Sequence, residues 1–248
     1  MRRSIFRART FGALVAAVLF AGAAQAAEPS CETLNRLYDN RYVGDFAIDW
    51  ETFEIGFSLP LFDCVEGDKN YVLAKAIYDL ERLRPSSENE PDWYAEVSAL
   101  LIEPGNMIRY IPEIDLAPNS TARTVRDGDQ AAIFILDTYV HSTERLRPAY
   151  VLVHEAFHLR RDDPGHVVCV AGVNAGKRVC DERLGGPATL SRGSGNSHEF
   201  LFLLDVRDSV AATPEMKQNA QQQLQYLADN MFNSVDADAS HRYGLKNR

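Results

Sequence analysis

Basic charge is scarce in this chain, whose 248 residues carry 26 Lys and Arg against 35 Asp and Glu. A surface with that balance repels phosphate backbones and anionic headgroups, so neither nucleic acid nor an anionic membrane is expected as a partner. Long hydrophobic runs are lacking too. After residue 26 no stretch approaches the roughly 18 apolar residues of a membrane span, so the mature chain is expected to have none. There are only four cysteines and six histidines, and no internal repeat is visible.

What is present starts with a leader. Residues 1–26 have a basic start, an apolar middle and small residues ending in Ala24-Gln25-Ala26, the layout of a secretory signal peptide cut after Ala26. Arg2-Arg3 hints at twin-arginine export, but the flanking residues fit the general route better. Cys31 lies five residues past the expected cut, too far for a lipid-anchored N-terminus. The leader holds four Arg and no acids, so 22 basic and 35 acidic residues remain in the mature 222, a balance of −13. That length suffices for one core, or for two small lobes around a cleft. The expected destination is the periplasm or the exterior, as a soluble protein. There the cysteines are expected to pair, and of three connectivities the sequence-local one is Cys31–Cys64 with Cys169–Cys180.

The centre of the sequence is YVLVHEAFHLRR, residues 150–161, within which His154-Glu155-Ala156-Phe157-His158 spells H-E-x-x-H. On a helix, His154 and His158 stand one turn apart on one face, the separation two imidazoles need to share a tetrahedral zinc ion. Glu155, next to a ligand, can take a proton from water that the ion acidifies. Composition alone gives this pattern in roughly one such sequence in a hundred. Val151, Leu152, Val153, Ala156, Phe157 and Leu159 make the helix apolar on several sides, and two histidines and a glutamate are costly there unless something binds them.

The segment resembles the active-site helix of the zincin zinc metallopeptidases, here in a secreted bacterial form, over about ten residues. The resemblance implies His154 and His158 as zinc ligands, Glu155 as general base and a peptide or protein as substrate. It also implies an α+β, zincin-like fold, mainly helical, with a small antiparallel sheet beside the H-E-x-x-H helix. Of the strands, residues 131–136 are assigned the cleft border, where a substrate backbone can pair as an added strand.

A third ligand is required, and the sequence leaves it open. His166 follows a Pro164-Gly165 turn and precedes Cys169; its spacing is two residues longer than the metzincin pattern, and Arg161 and Pro164 stand where that pattern has Gly and His. Glu199, near the start of a following helix, matches the gluzincin arrangement without its usual companion residues. Asp163, Asp181, Glu182 and His198 are further candidates. An oxyanion donor is sought among His198, Tyr139 and Tyr226, and a carboxylate orienting an imidazole among Asp162, Asp163 and Asp137. The alternative to an exported zinc hydrolase is a secreted non-catalytic zinc-binding or structural envelope protein.

Residues 27–248 are expected to form one domain, with an N-terminal helical part, 27–105, and a catalytic part, 106–248. Periodicity and breakers predict helices over 31–40, 70–84, 92–103, from about 148 to a stop at 162–165, 197–212 and from 214. Strands are predicted near 46–50, 107–111, 121–125 and 131–136, with Asp127-Gly128-Asp129 as a tight turn. Ser142 and Thr143 are candidate caps for the central helix; residues 172–195 read as irregular, and the tail from Asn233 as frayed.

Overall fold

The computed structural model describes residues 29–55, 65, 67–83, 92–112 and 121–246. The expected signal peptide and Cys64, the expected partner of Cys31, lie outside the described residues. The chain is a mixed α/β structure with two small three-stranded sheets, each containing one parallel and one antiparallel pairing. The sheet expected to be antiparallel is therefore mixed. Among the described residues no helix is long and apolar enough to cross a membrane.

The N-terminal part is built from helices whose ends are written in the sequence. Helix α1 spans Cys31–Leu37 and runs on through a π-helical turn, Tyr38–Tyr42. Helix α2, Lys69–Arg82, starts where the Asp68 carboxylate accepts from the amides of Asn70 and Tyr71. Helix α3, Trp93–Leu101, starts under Asp92 in the same way. Residues 46–50 form no strand: Phe46 and Ile48 are buried, but only Ile48 makes a bridge, to Ile108, and Trp50 is exposed. Alternating apolarity was satisfied by turns docked on the core.

The first sheet has strands β1 (Asn106–Ile111), β2 (Ala122–Asp127) and β3 (Gln130–Leu136), in spatial order β1-β3-β2. Gly128, at φ 61°, makes the hairpin between β2 and β3. Strand β3 is thus paired on both sides, and the role of cleft border expected of residues 131–136 is not open to it. The edge beside the central helix belongs to β2. The polar sequence ARTVRD suits an edge strand, whereas the buried Ala131, Ile133 and Ile135 suit the middle.

Helix α4, Arg147–Phe157, carries the motif, with Pro148 in its first turn and His158 as its C-cap. Neither Ser142 nor Thr143 caps it. Trp93 fixes this helix against its neighbours. Its indole meets Phe157 and, from helix α5 (Gly195–Asp208), Phe202 edge to face at 6.0 and 5.7 Å, and its Nε1–H donates to Asp205 at 2.6 Å. Burying such a ring contributes on the order of 3 kcal/mol. Asp79 of α2, fully buried, is clamped by Arg82 and Arg145, which ties α2 to the chain entering α4.

Beyond α4, the stretch read as irregular contains β5 (Arg178–Leu184), flanked by β4 (Val167–Val168) and by β6 (Phe232–Val235), a strand in what was read as a frayed tail. Helix α6, Pro214–Asn230, is capped by Thr213, and α7, Ala237–Tyr243, packs its Tyr243 against Phe200. Cys169 and Cys180 are disulfide-bonded as expected.

Candidate metal centre

Three elements meet at the site. Helix α4 supplies His154 and, at its cap, His158; a turn at Gly165 (φ 65°) brings back His166 just before β4. Their Nε2 atoms lie 3.3 Å apart for His154 and His158, 3.1 Å for His158 and His166, and 3.2 Å for His154 and His166. Among the described residues, the metal-capable atoms that converge here come from these three side chains.

The other nitrogen of each ring faces its own carboxylate. His154 Nδ1 is 3.0 Å from Glu199 Oε2, His158 Nδ1 is 2.8 Å from Asp163 Oδ2, and His166 Nδ1 is 3.0 Å from Asp181 Oδ1. An Nδ1–H donated to a carboxylate fixes the tautomer and leaves Nε2 as a lone pair. Three lone pairs aimed at one another repel unless a cation lies between them. For zinc bonded at about 2.0–2.1 Å to each nitrogen, the edge of the tetrahedron is about 3.3–3.4 Å, close to the spacing found.

The carboxylates are themselves held. Glu199 Oε1 accepts from Gln223 Nε2 at 3.0 Å, and Asp181 Oδ2 accepts from both the amide and the hydroxyl of Ser197, at 2.9 and 2.6 Å. Burial raises the Glu199 carboxyl to about 8 and lowers the His154 imidazole to about 3, so that pair is neutral in the absence of a cation. The His158–Asp163 pair behaves differently. Burial is the largest single influence and disfavours both charges, but their mutual hydrogen bond and the neighbouring charges and donors together exceed it, raising His158 and bringing Asp163 down to about 2.

Gly195, the first residue of α5, faces the rings across the site. A Cβ there would lie 2.7 Å from His154 Nε2 and 2.8 Å from His158 Nε2, so only glycine leaves the space between these nitrogens free. Donor set, spacing and this cradle all fit a zinc ion.

Glu155 is buried between α4 and β2. The Thr124 hydroxyl lies 2.8 Å from its Oε2 and 2.7 Å from its own carbonyl oxygen. The Glu155 charge acts on both His154 and His158.

Of the candidates for the third position, the structure brings His166 to the other two rings and places Glu199, Asp163 and Asp181 behind the rings instead. Glu182 is exposed on β5. His198 stacks on Phe157 at 3.6 Å and faces Arg160, whose Nη1 is 3.1 Å from its Nε2. Burial and the Arg160 charge lower its imidazole to about 4.

None of the three residues considered as oxyanion donors is brought to the site. Besides His198, Tyr139 is fully buried and donates to the Pro148 carbonyl, and Tyr226 is exposed on α6. Asp162 pairs with Arg160 and Asp137 accepts from Tyr110. Nothing in the sequence signals the roles of Thr124, Ser197, Gly195 and Gln223, none of which carries a motif; Ser197, the first residue of the helix expected over 197–212, lies inside α5, which begins after Ser194. No protein-family model matches the chain, and no curated protein or solved structure does either.

Proposed function

We propose that this chain is an exported zinc-dependent peptidase in which His154, His158 and His166 hold the metal and Glu155 is the general base. The observation that carries the reading is the convergence of three Nε2 atoms, each on a ring whose Nδ1 faces a separate carboxylate, at a helix that also carries a buried glutamate whose charge acts on two of the rings. A bound zinc ion supplies a Lewis acid that acidifies water and polarises a carbonyl oxygen. The chain's own residues do the rest. Glu155 takes the proton of the attacking water and returns it to the departing amine. Glu199, Asp163 and Asp181 keep the rings in one tautomer and one orientation.

The choice of a peptide over other acyl substrates is supported by strand β2. It is hydrogen-bonded to β3 along one side, and an extended backbone can add along the other. The motif's resemblance to zincins points the same way, as do the disulfide and the leader-like N-terminus to an oxidising compartment.

The test is metal content of the purified protein followed by hydrolysis of fluorescein-labelled casein. About one zinc per chain is expected, with activity abolished by a chelator and restored by zinc. Glu155→Gln should keep the metal and lose turnover by orders of magnitude. Stoichiometric zinc without any hydrolysis would favour the non-catalytic zinc-binding module, and absence of zinc would overturn the reading altogether.

A further inference from the structure

Strand β2 and the residue before it are fastened to α4 and the turn after it at three points. Thr121 Oγ1 accepts from Arg147 Nη2 at 2.9 Å, Arg126 Nη2 donates to the Leu159 carbonyl at 2.6 Å, and between them Thr124 meets Glu155. The outer two contacts only dock the strand. The middle one reaches the carboxylate that, on the reading above, moves the proton.

We infer that Thr124 is a positioning residue for the general base, its hydroxyl fixing the Glu155 carboxylate so that Oε1 is the oxygen that receives the proton. Thr124 Oγ1 has one proton and two acceptors, the carbonyl and Oε2 of the same residue, within 2.7 and 2.8 Å. While the carboxylate is charged, the bond to Oε2 is the stronger, because a hydrogen bond to an ionised acceptor is roughly twice as strong as a neutral one. When Oε1 takes the proton of water, that charge is lost. The hydroxyl can then turn to the backbone oxygen 2.7 Å away without breaking contact with the helix. Thr124 acts through Glu155 and exchanges no proton with the base, the water or the substrate.

A second consequence follows from where the hydroxyl sits. Thr124 lies in the middle of β2, in register with Ile133 of β3, and β2 is an edge strand that among the described residues pairs with β3 alone. A substrate paired along that edge is therefore aligned with the same strand that aims the base. Base and scissile bond share one frame, and the setting of one against the other does not depend on a mobile loop. Misplacement of a reacting group by about 1 Å costs on the order of a hundredfold in rate, so a rigid common frame matters to turnover more than to binding.

This inference rests on the assignment of Glu155 as base, and the experiment separates the two. Full-length zinc-loaded protein is compared as wild type, Thr124→Val, Thr124→Ser and Glu155→Gln, on a quenched-fluorescence peptide built on the first casein bond cut. Thr124→Val is expected to lower kcat about tenfold to a hundredfold with KM within about twofold and zinc affinity unchanged. Thr124→Ser, which keeps the hydroxyl, is expected within about threefold of wild type. A Thr124→Val protein with wild-type kcat overturns the inference. So does Thr124→Ser as slow as Thr124→Val, since the methyl and its packing would then be what matters. If Glu155→Gln turns over like wild type, the assignment of the base fails and takes the positioning role with it.

Discussion

Replacing Gly195 by alanine opposes two effects that the structure lets one separate. As the first residue of a 14-residue helix, an alanine there restricts the unfolded chain and stabilises by about 0.4–1 kcal/mol where the site accepts it. This site does not. The new methyl would stand 2.7–2.8 Å from His154 Cδ2 and from both Nε2 atoms of the helix pair, against the 3.4 Å or more of ordinary contact. About 0.6 Å of movement is needed. Helix α5 cannot easily recede, because Phe200, Phe202, Leu203 and Val206 are wholly buried in the core. The rings must turn instead, loosening the bonds from His154 to Glu199 and from His158 to Asp163. The ion is affected more directly still. With the two nitrogens 3.3 Å apart and each about 2.05 Å from zinc, a carbon 2.75 Å from both lies within about 3.4 Å of the ion at any angle. Zinc affinity should fall at least tenfold to a hundredfold, the usual cost of disturbing the groups that orient ligands. The metal-free melting temperature should shift by only a few degrees, because overpacking of about 1–3 kcal/mol is partly offset by the alanine. Competition against a chromogenic zinc chelator and a thermal melt measure the two. A Gly195→Ala protein that binds zinc as tightly as wild type would refute the placement of the ion among these nitrogens.

Asp79→Ala should cost about 3–5 kcal/mol in chemical denaturation, because it removes the buried carboxylate that both the Arg82 and Arg145 guanidinium groups pair with. Replacing Cys169 and Cys180 by serine should cost about 2.5–3 kcal/mol, from the 11-residue separation they close, and should weaken zinc binding by freeing the segment that carries His166. In metal-free protein the His158–Asp163 pair has a defined pH window. Asp163 is depressed, so its contribution is present above about pH 4 and lost as pH falls toward 2; His158 is raised, so its contribution is present below about pH 6.5 and lost above its folded value. Thermal melts of Asp163→Asn should therefore show the largest loss near pH 5 and little at pH 2; a loss independent of pH would argue that the pair is not ionic.

How much of this was legible beforehand depended on whether a residue's neighbours are close in sequence. His154, Glu155 and His158 could be read because helical periodicity alone brings them together, and His166 because a Pro-Gly turn and a disulfide confine its position. Glu199 and Asp181 were noticed as acids that could reach a metal, but sequence cannot tell an oxygen that faces Nδ1 from one that would face the ion. Strand β5 was unreadable for a related reason. In RVCDERL the buried positions include Asp181, so an acid held by His166 and Ser197 interrupts the apolar alternation by which strands are recognised. The assignment of the cleft-border strand to residues 131–136 failed on a signal that was present. A strand as apolar as Ala131–Ala132–Ile133–Phe134–Ile135 belongs in the middle of a sheet, and the charged ARTVRD before it is what an edge requires.

If the proposed zinc ion binds here, charge explains why the site has three carboxylates as well as three imidazoles. Neutral histidines bring no charge to a doubly positive ion, and each half-buried ring offers it less water than a surface would. Negative charge must come from somewhere, and a carboxylate bonded directly to the metal would reduce its acidity and occupy the position water needs. Placing Glu199, Asp163 and Asp181 one ring further out supplies that charge at a distance while still fixing each imidazole. On the proposed reading the same logic keeps Glu155 off the metal: turned toward β2 and bonded there by Thr124, it would be left to act as a base, with a fourth position open to water or a carbonyl oxygen.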